Sequence, residues 1–169
     1  MADRIDPVED RDGDGTVRGY SAIGIWSPKT GVNVGTLVRS ARCFDADFVF
    51  TIGRRYQRQA SSLKHERHIP ILHFDTEQEW KNAMPTDCRL VCVEIAANAH
   101  DLTSYVHPER AVYLLGSEDS GIPEEVMRGC EVVRVPTAFC LNVASTGTVV
   151  LYDRLSKANA GLRRPRSVA

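Results

Sequence analysis

Three separated stretches of the chain place amides, a carboxylate and a guanidinium among glycines. The first runs Ser27-Pro28-Lys29-Thr30-Gly31-Val32-Asn33-Val34-Gly35-Thr36-Leu37-Val38-Arg39-Ser40-Ala41. It reads as a strand end that passes through glycines into a helix, where exposed backbone amides favour an anion such as phosphate. Asn33 is a good helix N-cap, and Arg39 among apolar neighbours could simply snorkel along a surface. The second stretch is Val112-Tyr113-Leu114-Leu115-Gly116-Ser117-Glu118-Asp119-Ser120-Gly121-Ile122-Pro123. Here an apolar strand ends in a glycine that lets a ligand, or a sharp turn, approach the backbone. An ordinary strand-to-helix loop with Ser120 as N-cap would look the same. The third is Val133-Arg134-Val135-Pro136-Thr137-Ala138-Phe139-Cys140-Leu141-Asn142-Val143-Ala144-Ser145-Thr146-Gly147. A strand stops at proline, a loop follows, and small residues open a long helix. Small residues admit either a flat ligand or a closely packed neighbouring element.

Asn-x-Gly-x-x-x-Arg at 33–39, Leu-Gly-Ser-Glu-x-x-Gly-Ile at 115–122, and Val-Pro followed by Leu-Asn-Val at 141–143 form a more specific set. In order and spacing they resemble the SPOUT superfamily of RNA methyltransferases, and within it the TrmH-like branch that methylates ribose 2′-hydroxyls. The resemblance covers about Tyr20 to Lys157. It implies an α/β fold whose C-terminal part forms a deep trefoil knot, a topology that general rules of chain connection would discount. It also implies S-adenosylmethionine held in a bent conformation, and a homodimer that completes each active site across the interface. Carried over by motif, the catalytic positions are Asn33, Arg39, Glu118 and Asn142. The cofactor positions are Gly116, Val135, Leu141 and Ala144, with Ile95 added at a strand end. No metal is expected, because the departing sulfur becomes neutral. Arg39 would stabilise the developing alkoxide or orient the hydroxyl through a phosphate. Glu118 would hold Arg39 or tie down its loop.

The third motif departs from the family's usual Ser-Leu-Asn-Val-Ser: Cys140 and Ala144 stand where the two serines are common. A thiol is a poorer donor than a hydroxyl. This leaves a non-catalytic RNA-binding protein of the same fold as the alternative reading. A doubly wound oxidoreductase is disfavoured, because no GxGxxG follows the first strand. For RNA docking, the basic segments after Ile52 stand out: Arg54, Arg55 and Arg58 around Tyr56, then Lys64 and Arg67. A chain of this size without an added RNA-binding domain points to tRNA rather than to a large rRNA site.

Positioning these segments requires a parallel sheet. Strands are expected at Tyr20–Trp26, Phe48–Ile52, His68–Phe74, Leu90–Ile95, Ala111–Leu115 and Val132–Val135. Helices are expected at Asn33–Phe44, Asp75–Met84, Pro123–Arg128 and Leu141–Lys157. Continuous Val/Ile/Leu strands alternating with helices predict a mostly parallel α/β sheet covered on both faces. Ligands then bind beyond the carboxyl ends of the strands, where the three stretches fall. At 169 residues the chain suits one domain, expected at 19–158, between an acidic, glycine-containing segment 1–18 expected to be disordered and a basic tail 159–169. The formal net charge of −1 indicates no general affinity for nucleic acid, so any basic surface must be local or pooled by oligomerisation. Five cysteines, none in CxxC spacing, read as reduced, buried thiols of a cytoplasmic protein. No apolar run approaches the ~18 residues of a membrane span.

Overall fold

The computed structural model describes residues 19–56, 68–85 and 87–159. Within them, seven strands form one parallel sheet in the order β3-β2-β1-β6-β4-β7-β5. The strands are β1 (Tyr20–Trp26), β2 (Phe48–Ile52), β3 (Ile71–Phe74), β4 (Arg89–Val93), β5 (His100–Asp101), β6 (Arg110–Leu115) and β7 (Glu131–Arg134). The helices are α1 (Gly31–Cys43), α2 (Glu77–Ala83), α3 (Glu124–Met127) and α4 (Val143–Asn159), with a short 3₁₀ turn at Leu102–Ser104. The segment 1–18 and residues 160–169 lie outside the described residues. No helix among the described residues is long and apolar enough to cross a membrane.

The period-2 alternation of each strand sends its side chains into two cores. Ile23, Ile25, Val91, Tyr113 and Leu115 face one core with Val34, Leu37 and Val38 of α1 and Val150 and Leu151 of α4. Ala22, Phe50, Ile52, Cys92, Val112 and Leu114 face the other with Trp80 of α2 and Val126 of α3. Both faces are thus covered, as the apolar strands require. Gly24 is needed at the centre: a Cβ there would lie 2.4 Å from the Phe50 carbonyl and 2.5 Å from its ring. Its absence lets Phe50 stack on Trp80 at 5.7 Å between ring centres. Gly147 plays the same part between α4 and α1, where a Cβ would meet Leu37 at 2.4 Å.

Several element boundaries differ from expectation for local reasons. Thr30, not Asn33, caps α1, its side chain accepting from the Asn33 amide. Ser120 does not cap α3; Pro123 occupies that position, and the Ser120 hydroxyl pairs with Ser117 at 2.8 Å. α4 starts at Val143 because Asn142 caps it. β5 was not expected: two residues give too short a pattern to read. The cysteines are free thiols, but only Cys92 is buried; Cys88 and Cys130 are half-buried, and Cys43 and Cys140 are exposed.

A polar group is sealed beneath α4. The Tyr113 hydroxyl lies 2.6 Å from Nδ1 of His107, whose Nε2 lies 2.8 Å from Asp153. Arg154 donates to the carbonyls of Pro108 and Glu109, and Lys157 to those of Leu102 and Tyr105. These bonds tie the β5–β6 connection to α4. Burial holds the His107 pKa below its usual value, and the Asp153 carboxylate only partly opposes that effect. The unfolded chain therefore takes up this proton first as pH falls, and the native state loses stability below about pH 6.5. Thermal melting between pH 7.5 and 5 should show this decline, and His107→Gln should reduce its slope. An equal slope in the variant would mean that His107 does not contribute.

Candidate active site

The three motif stretches meet at the carboxyl ends of β1, β4, β6 and β7. β1 ends in a sharp turn at Ser27, whose φ of 44° lies in the left-handed region. This turn brings Thr30 into place to cap α1, and its cap leaves the Asn33 side chain free. Asn33 Nδ2 donates to Glu118 Oε1, and Asn142 Nδ2 donates to Asn33 Oδ1 at 3.1 Å. Asn142 Oδ1 in turn accepts from the amides of Ala144 (2.9 Å) and Ser145 (3.3 Å), opening α4. Glu118 Oε2 accepts from the Lys29 amide at 3.4 Å. Lys29 Nζ pairs with Asp119 at 2.8 Å, and this hydrogen bond raises the lysine pKa.

A cleft of about 430 Å³ opens beside this chain of amides. That volume lies within the ~300–1,000 Å³ typical of cofactor sites. Val93, Ile95, Leu115, Val135, Leu141 and Val143 supply apolar walls, while Glu94, Glu118 and Asp119 supply carboxylates. Flat apolar walls with carboxylates nearby fit a ligand that carries an aromatic ring and positive charge, as S-adenosylmethionine does. Ile95 is 64% exposed and Leu141 43% exposed, so both present apolar surface that a ligand would cover.

The sequence-predicted residues divide clearly. Asn33, Glu118 and Asn142 are brought together, and Gly116, Ile95, Val135 and Leu141 line the cleft. Ala144 does not line it; it is 1% exposed and packs in the core under α4, where the need for a small side chain is steric. Arg39 lies on the exposed face of α1, outside the cleft lining and without a hydrogen bond to Glu118. Within one chain Glu118 therefore does not hold Arg39; it ties its own loop to α1. Cys140 lines the cleft with its thiol exposed. Arg54 and Arg55 are exposed; Arg55 pairs with Asp75 at 3.1 Å, and Arg54 is near enough to Lys29 to oppose its charge. Arg58, Lys64 and Arg67 fall outside the described residues. Among the cleft residues that the sequence reading did not assign to the site, two are charged groups with strong ties to the backbone or to a partner. Arg134 is paired with Asp101 at 2.6 Å, and Glu94 sits at the end of β4. A glutamate directly after three apolar strand residues was the available signal for the latter.

Residues 21–152 match the model of the SpoU rRNA Methylase family, and the chain belongs to that family. It is similar to a tRNA (cytidine(34)-2′-O)-methyltransferase of Ancylobacter novellus, 26% identical over 154 residues, covering 84% of this chain and 96% of the relative. It is also 26% identical to the Mus musculus tRNA (guanosine(18)-2′-O)-methyltransferase TARBP1, covering 80% of this chain but only 9% of that protein. Among solved structures, the SpoU methyltransferase AviRb of Streptomyces viridochromogenes, in complex with AdoMet, superposes with a TM-score of 0.77 at 19% identity. That match covers 91% of this chain and 63% of AviRb.

Asn142 has two separable tasks, capping α4 and donating to Asn33. Asn142→Asp should keep the cap and lose the donation, so thermal stability should hold while catalytic turnover falls. Asn142→Ala should lose both, at a cost of about 1 kcal/mol from the cap. Melting curves and turnover measured together would reveal the split; equal turnover in Asn142→Asp and wild type would refute the orienting role.

Proposed function

We propose that the protein transfers a methyl group from S-adenosylmethionine to a ribose 2′-hydroxyl of tRNA. The observation that carries this reading is the directed chain Asn142–Asn33–Glu118 standing at the edge of the apolar cleft. The bound cofactor would supply a methyl group on a positively charged sulfur. The chain's own residues then have to position the acceptor. Asn33 and Asn142, locked by Glu118, present fixed amide edges where the ribose would enter, and positioning of this kind supplies up to ~7–11 kcal/mol of barrier reduction. Gly116, Val135 and Leu141 would contact the cofactor largely through backbone groups, with Ile95 covering its apolar part. Membership of the SpoU family and the relatives named for tRNA 2′-O-methylation support the choice of substrate.

The same reading makes the working unit a homodimer. Arg39 shares an exposed stripe of α1 with Val32, Thr36 and Cys43, at helical spacing. The neighbouring helix α4 exposes Val149 and Tyr152, the latter at 61%. A second copy seated on α1 and α4 would cover these apolar groups and carry Arg39 toward the partner's cleft. There its guanidinium would stabilise the alkoxide as the hydroxyl loses its proton to solvent. A deep C-terminal knot fits the strand order, with β6 inserted between β1 and β4 and α4 returning to pack on α1. Arg54, close to Lys29 at the rim, is the better-placed phosphate contact; Arg55 is engaged by Asp75. Cys140 fills the position of the family's usual serine, and Cys140→Ser should preserve or raise turnover.

Nucleoside mass spectrometry of RNA from cells with and without the gene tests the reaction. Loss of one 2′-O-methyl nucleoside from tRNA is expected, and an unchanged profile in tRNA would overturn the substrate assignment. Arg39→Ala should abolish turnover and leave cofactor affinity unchanged. Mixing Arg39→Ala with Glu118→Ala chains should restore roughly a quarter of wild-type activity if each cleft takes its arginine from the partner. No restoration in a confirmed mixed dimer would place Arg39 on its own chain's site.

A further inference from the structure

We infer that Glu94 is a positioning residue that locks the Gly116–Gly121 loop and so sets both the cofactor cleft and the orientation of Glu118; this rests on the methyltransferase reading above. The Glu94 carboxylate joins two separate pieces of backbone. Its Oε1 accepts from the Ile95 amide at 2.9 Å and its Oε2 from the Ile122 amide at 3.0 Å. Ile95 begins the connection after β4, whereas Ile122 lies at the far end of the loop after β6. One side chain therefore fastens both walls of the cleft that it also lines.

The two glycines of the second motif acquire a specific explanation. A Cβ on Gly116 would lie 2.5 Å from Glu94 Oε2, and one on Gly121 would lie 2.6 Å from the same oxygen. The carboxylate occupies space that both side chains would need, and at Gly116 the Gly121 Cα, 2.8 Å from that Cβ position, occupies it too. Gly121 has a φ of +65° besides, a conformation glycine adopts without penalty. Between them the loop closes on itself: Ser117 and Gly121 exchange backbone hydrogen bonds at 3.2 and 3.1 Å, and the Ser117 and Ser120 hydroxyls meet at 2.8 Å. Glu118 projects from this closed loop to Asn33. A loop closed on itself still has to be oriented against the sheet. Glu94 provides that attachment at the Gly121–Ile122 end, with its Oε2 also lying against Gly116.

Two backbone donors each require an acceptor oxygen, and only a carboxylate offers two on one group. A glutamine would turn an NH₂ toward one of the amides. Glu94→Gln in the full-length chain should therefore remain folded but weaken S-adenosylmethionine binding by about tenfold or more in calorimetry, as expected on losing a charge-assisted bond. Turnover at saturating cofactor should also fall about tenfold, because Glu118 would no longer be held toward Asn33. In a Glu118→Ala background, Glu94→Gln should have little further effect on that turnover, since the two residues act along one path. Glu94→Asp keeps both oxygens but is shorter by one methylene. It serves as the second variant should glutamine prevent folding, and it should show the same losses. A melting temperature lowered with affinity and turnover within twofold of wild type would overturn the proposal and reduce Glu94 to a stabilising residue. Full additivity with Glu118→Ala would equally overturn the path through Glu118. Wild-type protein that binds no S-adenosylmethionine would instead refute the functional reading itself.

Discussion

A carboxylate can accept hydrogen bonds but cannot donate them, and that asymmetry at Glu118 orders the centre of this molecule. Because Glu118 accepts, Asn33 must turn its NH₂ toward it and its carbonyl oxygen away. The exposed oxygen then calls for a donor, which Asn142 supplies. Asn142, with its NH₂ committed, points its oxygen at the first amides of α4, which have no acceptor within the helix. A chain of bonds thus runs in one direction from the start of α4 to the loop after β6. Reversing any amide would break it at two places. The helix start and the candidate site share one device, so the group that begins α4 is also the group that orients Asn33.

The sheet makes this chain possible. Asn33, Glu118 and Asn142 are up to 109 residues apart in sequence, yet all follow strands or loops that end on one side of a parallel sheet. β6 lies between β1 and β4, which brings the loop after β6 beside the start of α1 on one flank and the end of β4 on the other. Sites in sheets of this kind collect where neighbouring connections diverge. The tight contact of α4 with α1, which needs Gly147 and the Ser40–Thr148 hydroxyl pair at 2.7 Å, then fixes Asn142 against Asn33.

Much of this was legible in the chain itself, and the exceptions have physical causes. β1 and β2 are runs of apolar residues bounded by turn residues, and their limits agree with the reading. The motif residues Asn33, Glu118 and Asn142 were identifiable, but the bonds among them were not, because pairing across the sheet leaves no local pattern. Asparagine is a strong N-cap by type, but Thr30 takes that place and leaves the Asn33 side chain for Glu118. Ala144 is buried in the core, where close packing of α4 limits its size. Glu94 is marked in the sequence only by its place after apolar strand residues, because its partners are backbone amides and its spatial neighbours are glycines. Arg39 could be placed on α1 by spacing, but helical spacing alone cannot say which cleft a surface arginine serves.

Charge is arranged locally, so the net value of −1 carries little information. The cleft holds the carboxylates Glu94, Glu118 and Asp119, an environment that favours a cationic ligand. Lys29 lies just outside, on Asp119, with Arg54 close by. The Lys29–Asp119 pair is more than half exposed on both sides, so solvent screening leaves it a small contribution to stability. Its larger effect is spatial. It holds one positive charge at the rim and partly neutralises the acidic loop. A polyanionic substrate approaching carboxylates would be repelled unless cations screened them at short range. On the proposed reading, the acidic cleft and basic rim are therefore complementary: the first suits the positively charged methyl donor, and the second admits the RNA that receives the methyl group.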